Sequence, residues 1–406
     1  MKSIKQIQKV AALAALVAPL CACAVDVAVI KARQQYPWNN QVDVVYSVSG
    51  LDGAHYKATG TITTNGADEV IFKRNIRADG VYTNSWECPA GVSERDVPLS
   101  IDLEPILYYD WMIVDLKTGD VEYDNCDVVE ATNKFNVAAY KTQKMVFRRV
   151  GAGDYTLLIG NSAEGTTTAA SGGNGIATAT MAKDYYIALF ECTVAQYACI
   201  MGTSTTSTDM KPQGTVSYST IRGTDAPDTA VTATSFFGKL NTLVQNATGD
   251  STFYCDLPTE SMWQIAAHAE GDPTWWRFYG TGGASETKAN LSKYAVVQTG
   301  TSASALANAG TKLSNQWGLY DMYGNVWEWC LDATAYVAWN NNTQNNAADM
   351  SLTQSPTTVG ASRVIRGGSA GSNVALAWAR SGSRHRNNGP SDSDWSLGFR
   401  VARIVP

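Results

Sequence analysis

Apolar and polar positions partly alternate, with period two, from Val42 to Val48 and again from Tyr56 to Ile62. That is the mark of strands with one face in a core. Ile106 to Leu116 is aromatic and β-branched. It runs into a Lys117–Asp120 turn signal and a second short apolar stretch, Val121 to Tyr123, which predicts a hairpin. Short strands at this spacing predict a small antiparallel, sandwich-like β domain over residues 25–143.

The texture changes near Lys144. Met145–Arg149 and Asp154–Leu158 read as strands, and the Thr/Ala/Gly/Ser-rich stretch from Ala163 to Thr180 reads as a loop. Three helices are expected. Thr193 caps one, Ser235 opens another, and Thr259 caps a third that turns Met262, Ile265 and Ala266 inward. After Gly324 the pattern returns to loops and short strands. Nine of the twelve tryptophans lie beyond residue 260, so residues 144–406 are expected to be an α+β domain of structured loops held by large aromatic side chains.

The first 24 residues carry an address. Lys2, Lys5 and Lys9 form a positive segment, Val10 to Leu20 is uncharged and apolar, and Ala22-Cys23-Ala24 places small residues where a signal peptidase reads. A signal peptide over 1–24 predicts an exported protein, in the periplasm, on the cell surface or secreted. The apolar run falls well short of the roughly 20 residues a spanning helix needs, so a membrane-spanning protein is not expected. A lipid anchor on Cys23 stays open. Cleavage removes three Lys and no acid, moving the net charge from −6 to −9. Six cysteines remain, with Cys88 and Cys126 a candidate disulfide in an oxidising compartment.

Charge and histidine count narrow the chemistry. A pI near 5.2 without a basic block argues against nucleic acid as a partner. Three scattered histidines (His55, His268, His385) cannot build a local His-rich metal site.

Four segments, in order, carry a resemblance: Tyr186 to Thr193, Leu257 to Trp263, Asn315 to Trp329, and Arg363 to Ser369 with Leu397 to Val401. Together they resemble the formylglycine-generating enzyme (sulfatase-modifying factor) family over residues 145–406. The resemblance implies a C-type-lectin-like fold. It also implies a calcium site, carried over position by position as the Asp321 side chain, the Gly324 and Val326 carbonyls and the Glu328 side chain. Calcium favours six to eight oxygens of this kind. From the residues alone, an arginine-paired structural turn is the competing reading. Arg366, Arg380, Arg384 and Arg400 lack adjacent acids and are candidates to pair with Glu260, Asp321 or Glu328. Glu260, at a helix N-terminus, is favoured there by the helix dipole.

The family's oxidase activity needs two cysteines after the Gly-Gly-Ser motif, which hold copper as thiolates. Here Ser372 stands at the first position, and Cys330 is the last cysteine in the chain. Copper is therefore not expected, and no catalytic residue is assigned. What remains is the 370–396 segment, about half Ser, Asn, Gly and Asp with Trp378 and Trp395 interspersed, a composition like that of antibody binding loops. Ser372, Asn373, Trp378, Arg384, His385, Asn387, Asn388 and Trp395 are the candidate ligand-binding residues. The expectation is an exported, non-catalytic member that binds a small-molecule ligand or protein partner beside a structural calcium. The alternatives are a formylglycine-type oxidoreductase or protein-modifying enzyme with an unrecognised site, and a retroelement-diversified display protein.

Overall fold

The computed structural model describes residues 25–34, 41–51, 56–64, 67–76, 79–87, 99–105, 109–158, 176–203, 208–269, 291–298, 305–334, 358, 360–371 and 384–405. The signal-peptide residues, Cys88, Ser372, Asn373 and Trp378 lie outside them.

The chain divides into two compact units, 1–109 and 110–406. The first holds β1 (Asp26–Gln34), β2 (Gln41–Ser49), β3 (Tyr56–Thr64), β4 (Ala67–Ile76), β5 (Gly80–Glu87) and β6 (Leu99–Pro105). They form two three-stranded antiparallel sheets, ordered β1-β2-β5 and β4-β3-β6. The sheets share one core of Val44, Tyr46, Val48, Ala58, Phe72, Ile76 and Ile101. The alternation from Val42 to Val48 is real: every second residue of β2 is buried. Tyr46 stacks on Phe72 with ring centroids 5.6 Å apart. Gly60 is needed beneath that ring, because a Cβ there would sit 2.2 Å from Phe72 Cε1.

The second unit starts earlier than the expected boundary at 143/144. Its elements are β7 (Trp111–Asp115), β8 (Val121–Asp124), α1 (Val128–Phe135), α2 (Ala139–Thr142), β9 (Lys144–Val150), β10 (Gly153–Leu158), β11 (Ile176–Met181), β12 (Tyr185–Ala188), α3 (Val194–Met201), α4 (Tyr218–Arg222), α5 (Phe236–Thr248), β13 (Cys255–Asp256), α6 (Glu260–His268), β14 (Trp327–Thr334), β15 (Ser362–Arg366), β16 (Arg384–Asn388), β17 (Leu397–Phe399) and β18 (Ala402–Ile404). The β7–β8 hairpin forms where the sequence predicts it. However, β7 also pairs with β9, through Trp111↔Arg148 to Asp115↔Lys144, and this ladder ties the hairpin to the C-terminal unit. The boundary moves to 109/110 for that reason. The stretch expected to be a loop up to Thr180 likewise ends in a strand: β11 pairs with β10 from Gly153↔Met181 to Leu158↔Ile176.

A six-stranded sheet, β13-β18-β12-β9-β7-β8, forms the spine of the unit. Apolar cores lie on both of its faces. Trp111 and Ile113 enter one core with Val146, Tyr185 and Trp263. Met112 and Val114 enter the other with Phe147, Phe236 and Phe399. Neighbouring strand residues point to opposite faces, which is why Trp111 to Val114 are all buried. A second sheet, β16-β15-β14-β17, carries the motifs after residue 320.

Candidate functional site

All three expected helices form, the first and third at their expected caps, and Ser235 proves to cap the second. Thr193 accepts from Gln196 N and forms a full capping box, Ser235 accepts from Gly238 N, and Thr259 accepts from Met262 N. Capping fixes where α6 begins and so sets Glu260 at its first turn. There Glu260 pairs with Arg366 at 3.0 Å, with both side chains fully buried. Arg366 also bonds Gln264 and lies over the Trp263 ring, 5.5 Å from its centroid. Glu260 is thus an organiser of the α6–β15 contact.

Arg400 occupies a second buried centre. Its Nη2 donates to Glu328 Oε1 at 2.7 Å and to the Tyr320 carbonyl at 2.8 Å. Its Nε reaches both Glu328 oxygens, at 3.2 and 3.1 Å, and its Nη1 donates to the Ala188 carbonyl at 2.9 Å. Trp263 Nε1 donates to Glu328 Oε2 at 2.7 Å. Of the pairings the sequence left open, the fold selects Arg366 with Glu260 and Arg400 with Glu328.

Asp321 and Glu191 complete this centre. Asp321 and Asn325 hold left-handed backbone angles, φ 54° and 55°, on either side of Gly324 at φ 78°. The turn is packed so closely that a Cβ on Gly324 would come within 2.3 Å of the Val296 carbonyl oxygen. Asp321 Oδ2 accepts from Gly310 N at 2.6 Å, while Oδ1 is buried without a hydrogen-bond partner. Glu191 escapes sequence reasoning, because one acid inside the apolar run Tyr186 to Cys192 has no local pattern to mark it. It accepts from Asn325 Nδ2 at 2.7 Å and from Val326 N at 3.0 Å.

Three carboxylates therefore share one guanidinium. Burial, then the Asp321 and Glu328 charges, pushes Glu191 well above the usual carboxylate range. Burial likewise lifts Asp321 to about 6, against the Gly310 N–H bond and the Arg400 charge that favour the anion. Lys141 Nζ lies 5.0 Å from the Phe190 ring centroid. Burial lowers its pKa while Asp321 opposes the change.

The residues named as calcium ligands can be tested against this geometry. Asp321 Oδ1 is a buried, unpartnered carboxylate oxygen, as a cation ligand should be. Glu328 offers less, since three N–H groups already point at its roughly four lone-pair positions. Among the described residues no three His, Cys, Asp or Glu side chains gather in metal-binding geometry. A cation here would lean on Asp321 and backbone carbonyls. The one unpartnered carboxylate oxygen of Asp321 and the neighbouring carbonyls are donors of the kind a hard, oxygen-seeking ion takes.

The candidate ligand surface is described in part. Arg384, His385 and Asn387 lie on β16, with backbone pairing Ile365↔His385 and Arg366↔Arg384; their side chains lie outside the description, and Asn388 is half-buried. Trp395 is 43% exposed on a turn fixed at several points. Thr215 N donates to the Asp394 carbonyl at 2.8 Å, Trp327 N to Ser396 O at 2.7 Å, and Ser219 Oγ to Pro390 O at 2.7 Å. Gly214 lies flat against the turn, since a Cβ there would come within 2.1 Å of Trp395 O.

The described thiols sit in another kind of environment. Cys126, Cys192, Cys255 and Cys330 are buried and free, and Cys199 is half-buried and free. Cys88, the expected disulfide partner of Cys126, lies outside the described residues; Cys126 packs in the second unit's core, with Trp111 Nε1 donating to its carbonyl at 2.8 Å. Burial raises the pKa of all five thiols, Cys126 and Cys255 to about 12. This is opposite to what a metal-binding thiolate needs.

Known proteins resemble the chain over part of its length. Among solved structures, Treponema denticola variable protein 1 aligns over 64% of this chain and 95% of its own, at 20% identity and TM-score 0.45. PvdO from Pseudomonas aeruginosa aligns over 64% and 94%, at 18% identity and TM-score 0.47. Two curated relatives are serine/threonine-protein kinases pkn1. One from Chlamydia pneumoniae is 33% identical over 158 residues, 37% of this chain. One from Chlamydia caviae is 37% identical over 98 residues, 23% of this chain. The chain spans 21% and 14% of their lengths. Residues 136–405 match the family described as the sulfatase-modifying factor enzyme 1-like domain, and with its mixed helix and strand architecture the chain belongs to this formylglycine-generating-enzyme family, C-type-lectin-like in fold.

Proposed function

We propose that the protein is an exported, non-catalytic member of its family that binds a protein partner or small-molecule ligand through the 370–396 surface. The observation that carries this reading is Trp395, a large aromatic ring held in solvent on a turn whose backbone is bonded to three other segments. Exposed tryptophan on a rigid support loses little conformational entropy on binding and suits an interface anchor. Asn387, Asn388, Arg384 and His385 on β16, with Ser372, Asn373 and Trp378, would supply the adaptable polar and aromatic surround. The absence of catalysis is supported by the sequence, which has no cysteine after Cys330, and by described thiols that burial keeps protonated.

A structural calcium ion would sit at Asp321, with the Gly324 and Val326 carbonyls and a lesser share from Glu328. It would supply positive charge to a buried centre rich in carboxylates. The ion would hold the 321–328 turn, and Arg400, next to β17, would hold the same turn through Glu328.

The reading is tested by a photo-crosslinking residue placed at exposed Ser393, beside Trp395, with exposed Val129 on α1 as control. In the native host, position 393 is expected to capture one discrete adduct, which Trp395→Ala removes, and position 129 none. No adduct at 393, or one indifferent to Trp395→Ala, would overturn the assignment.

A further inference from the structure

A cavity of about 770 Å³ opens between the β7–β8 turn, the end of α3 and the length of α5, and none of the candidate site residues lines it. That volume is in the usual range for small-molecule sites. Its walls are Leu116 and Lys117 from the turn, Cys199 and Ile200 from α3, and Ala233, Lys239, Thr242, Leu243 and Asn246 from α5 and its approach.

The three walls are fastened to one another. Gly119, with φ 83°, seats the turn on α5: a Cβ there would be 2.5 Å from the Leu243 carbonyl oxygen. Cys199 Sγ donates to the Leu116 carbonyl at 3.4 Å and joins α3 to the turn. Lys239 Nζ donates to the Met201 carbonyl at 3.1 Å and joins α5 to the end of α3. The cavity is therefore preformed.

Its charge is the opposite of the protein's. The chain carries a net charge of −6, yet among the described residues the charged groups lining this cavity are Lys117 and Lys239. Asp115, two residues before Lys117, turns its Oδ1 back onto the Lys117 and Thr118 amides. Leu116, Ile200 and Leu243 give an apolar floor, and Thr242 and Asn246 give polar rim groups. Lys239 belongs to the first turn of α5, where the helix dipole adds positive potential.

We propose that this cavity is a second binding site, for a small amphipathic anion: a carboxylate head between Lys117 and Lys239, and an aliphatic or aromatic body against Leu116, Ile200 and Leu243. An ammonium pair suits a carboxylate through charge-assisted hydrogen bonds. A neutral molecule of the same shape would form neither charge-assisted bond.

Cys199 provides the readout. Of the five described thiols it alone is not buried, and it lines the cavity, so a bound molecule covers it. The full-length protein is incubated with decanoate below its micellar concentration, or with decanol, and then with N-ethylmaleimide. Modification is followed residue by residue by mass spectrometry. Decanoate is expected to slow Cys199 alkylation in a saturable way, with decanol about tenfold weaker, the scale of one lost charge-assisted bond. Lys117→Glu, in an exposed turn, and Lys239→Glu are each expected to weaken protection by at least as much, with unchanged circular dichroism. Lys117→Gln gives the same direction with a milder change should a reversal impair folding. Equal protection by decanoate and decanol, protection insensitive to the lysine variants, or no protection at all would overturn the proposal.

Discussion

Arg400→Met removes the cation from the centre of the 136–405 domain and leaves a side chain of similar length. Glu328 would keep one donor, Trp263 Nε1 at 2.7 Å, and lose the guanidinium contacts to both of its oxygens. The Ala188 and Tyr320 carbonyls would lose their donors at 2.9 and 2.8 Å. Breaking a buried pair from one side costs about 3–5 kcal/mol, because a charge stays behind without compensation. Asp321, whose anion Arg400 also favours, loses the same cation. For a unit of this size the loss corresponds to a melting-temperature drop on the order of 10 °C. Urea unfolding followed by tryptophan fluorescence reads it. Glu328→Gln in the Arg400→Met background should recover part of the loss, since a neutral amide no longer needs the cation, and the double-mutant cycle isolates the pair. A cost for Arg400→Met below about 1 kcal/mol, the level of a surface ion pair, would refute the view that this centre holds the fold together.

Chelation is expected to lower the melting temperature and added calcium to restore it, because an ion bound only to the native state must stabilise it; Asp321→Ala should abolish the calcium response, and a chelator-insensitive wild type would remove calcium from the site. Stability should fall on the alkaline side. Cys192, Cys255 and Cys330 are protonated in both states below the unfolded thiol value near 8.5, but only the unfolded chain ionises them above it. Each thiol then costs about 1.4 kcal/mol per pH unit until its own folded value is reached, so urea midpoints under reducing conditions should drop between about pH 8 and pH 10; a flat profile would contradict the burial. Gly214→Ala would drive a Cβ into the Trp395 carbonyl, displacing the turn. It should weaken crosslinking at position 393 while changing the melting temperature far less than Arg400→Met does.

The elements legible in the sequence are those written in local chemistry. Thr193 and Thr259 can be placed as caps because a hydroxyl before an apolar run has one common use. The alternation in β2 can be read because one face is core and the other is wet. Pairing between distant segments leaves no such trace. Trp111 to Asp115 looks like part of the first domain because nothing in its own residues says that its partner is β9. Ile176 to Met181 reads as Thr/Ala coil, and only its ladder with β10 makes it a strand. The arginines are visible as cations short of acids, and the fold is needed to assign Arg366 to Glu260 and Arg400 to Glu328. Glu191 stays hidden because its partners, Asn325 and Val326, lie more than 130 residues away.

Whether this family member binds without oxidising is tested most directly by supplying the protein with copper(I), dissolved oxygen and a cysteine-containing sulfatase-type peptide. Bound copper, oxygen uptake and peptide aldehyde are followed together. A binding protein with no thiol pair shows no stoichiometric copper, no oxygen uptake above the protein-free rate and an unchanged peptide. One copper bound per chain, with oxygen consumed and formylglycine formed, would contradict that reading.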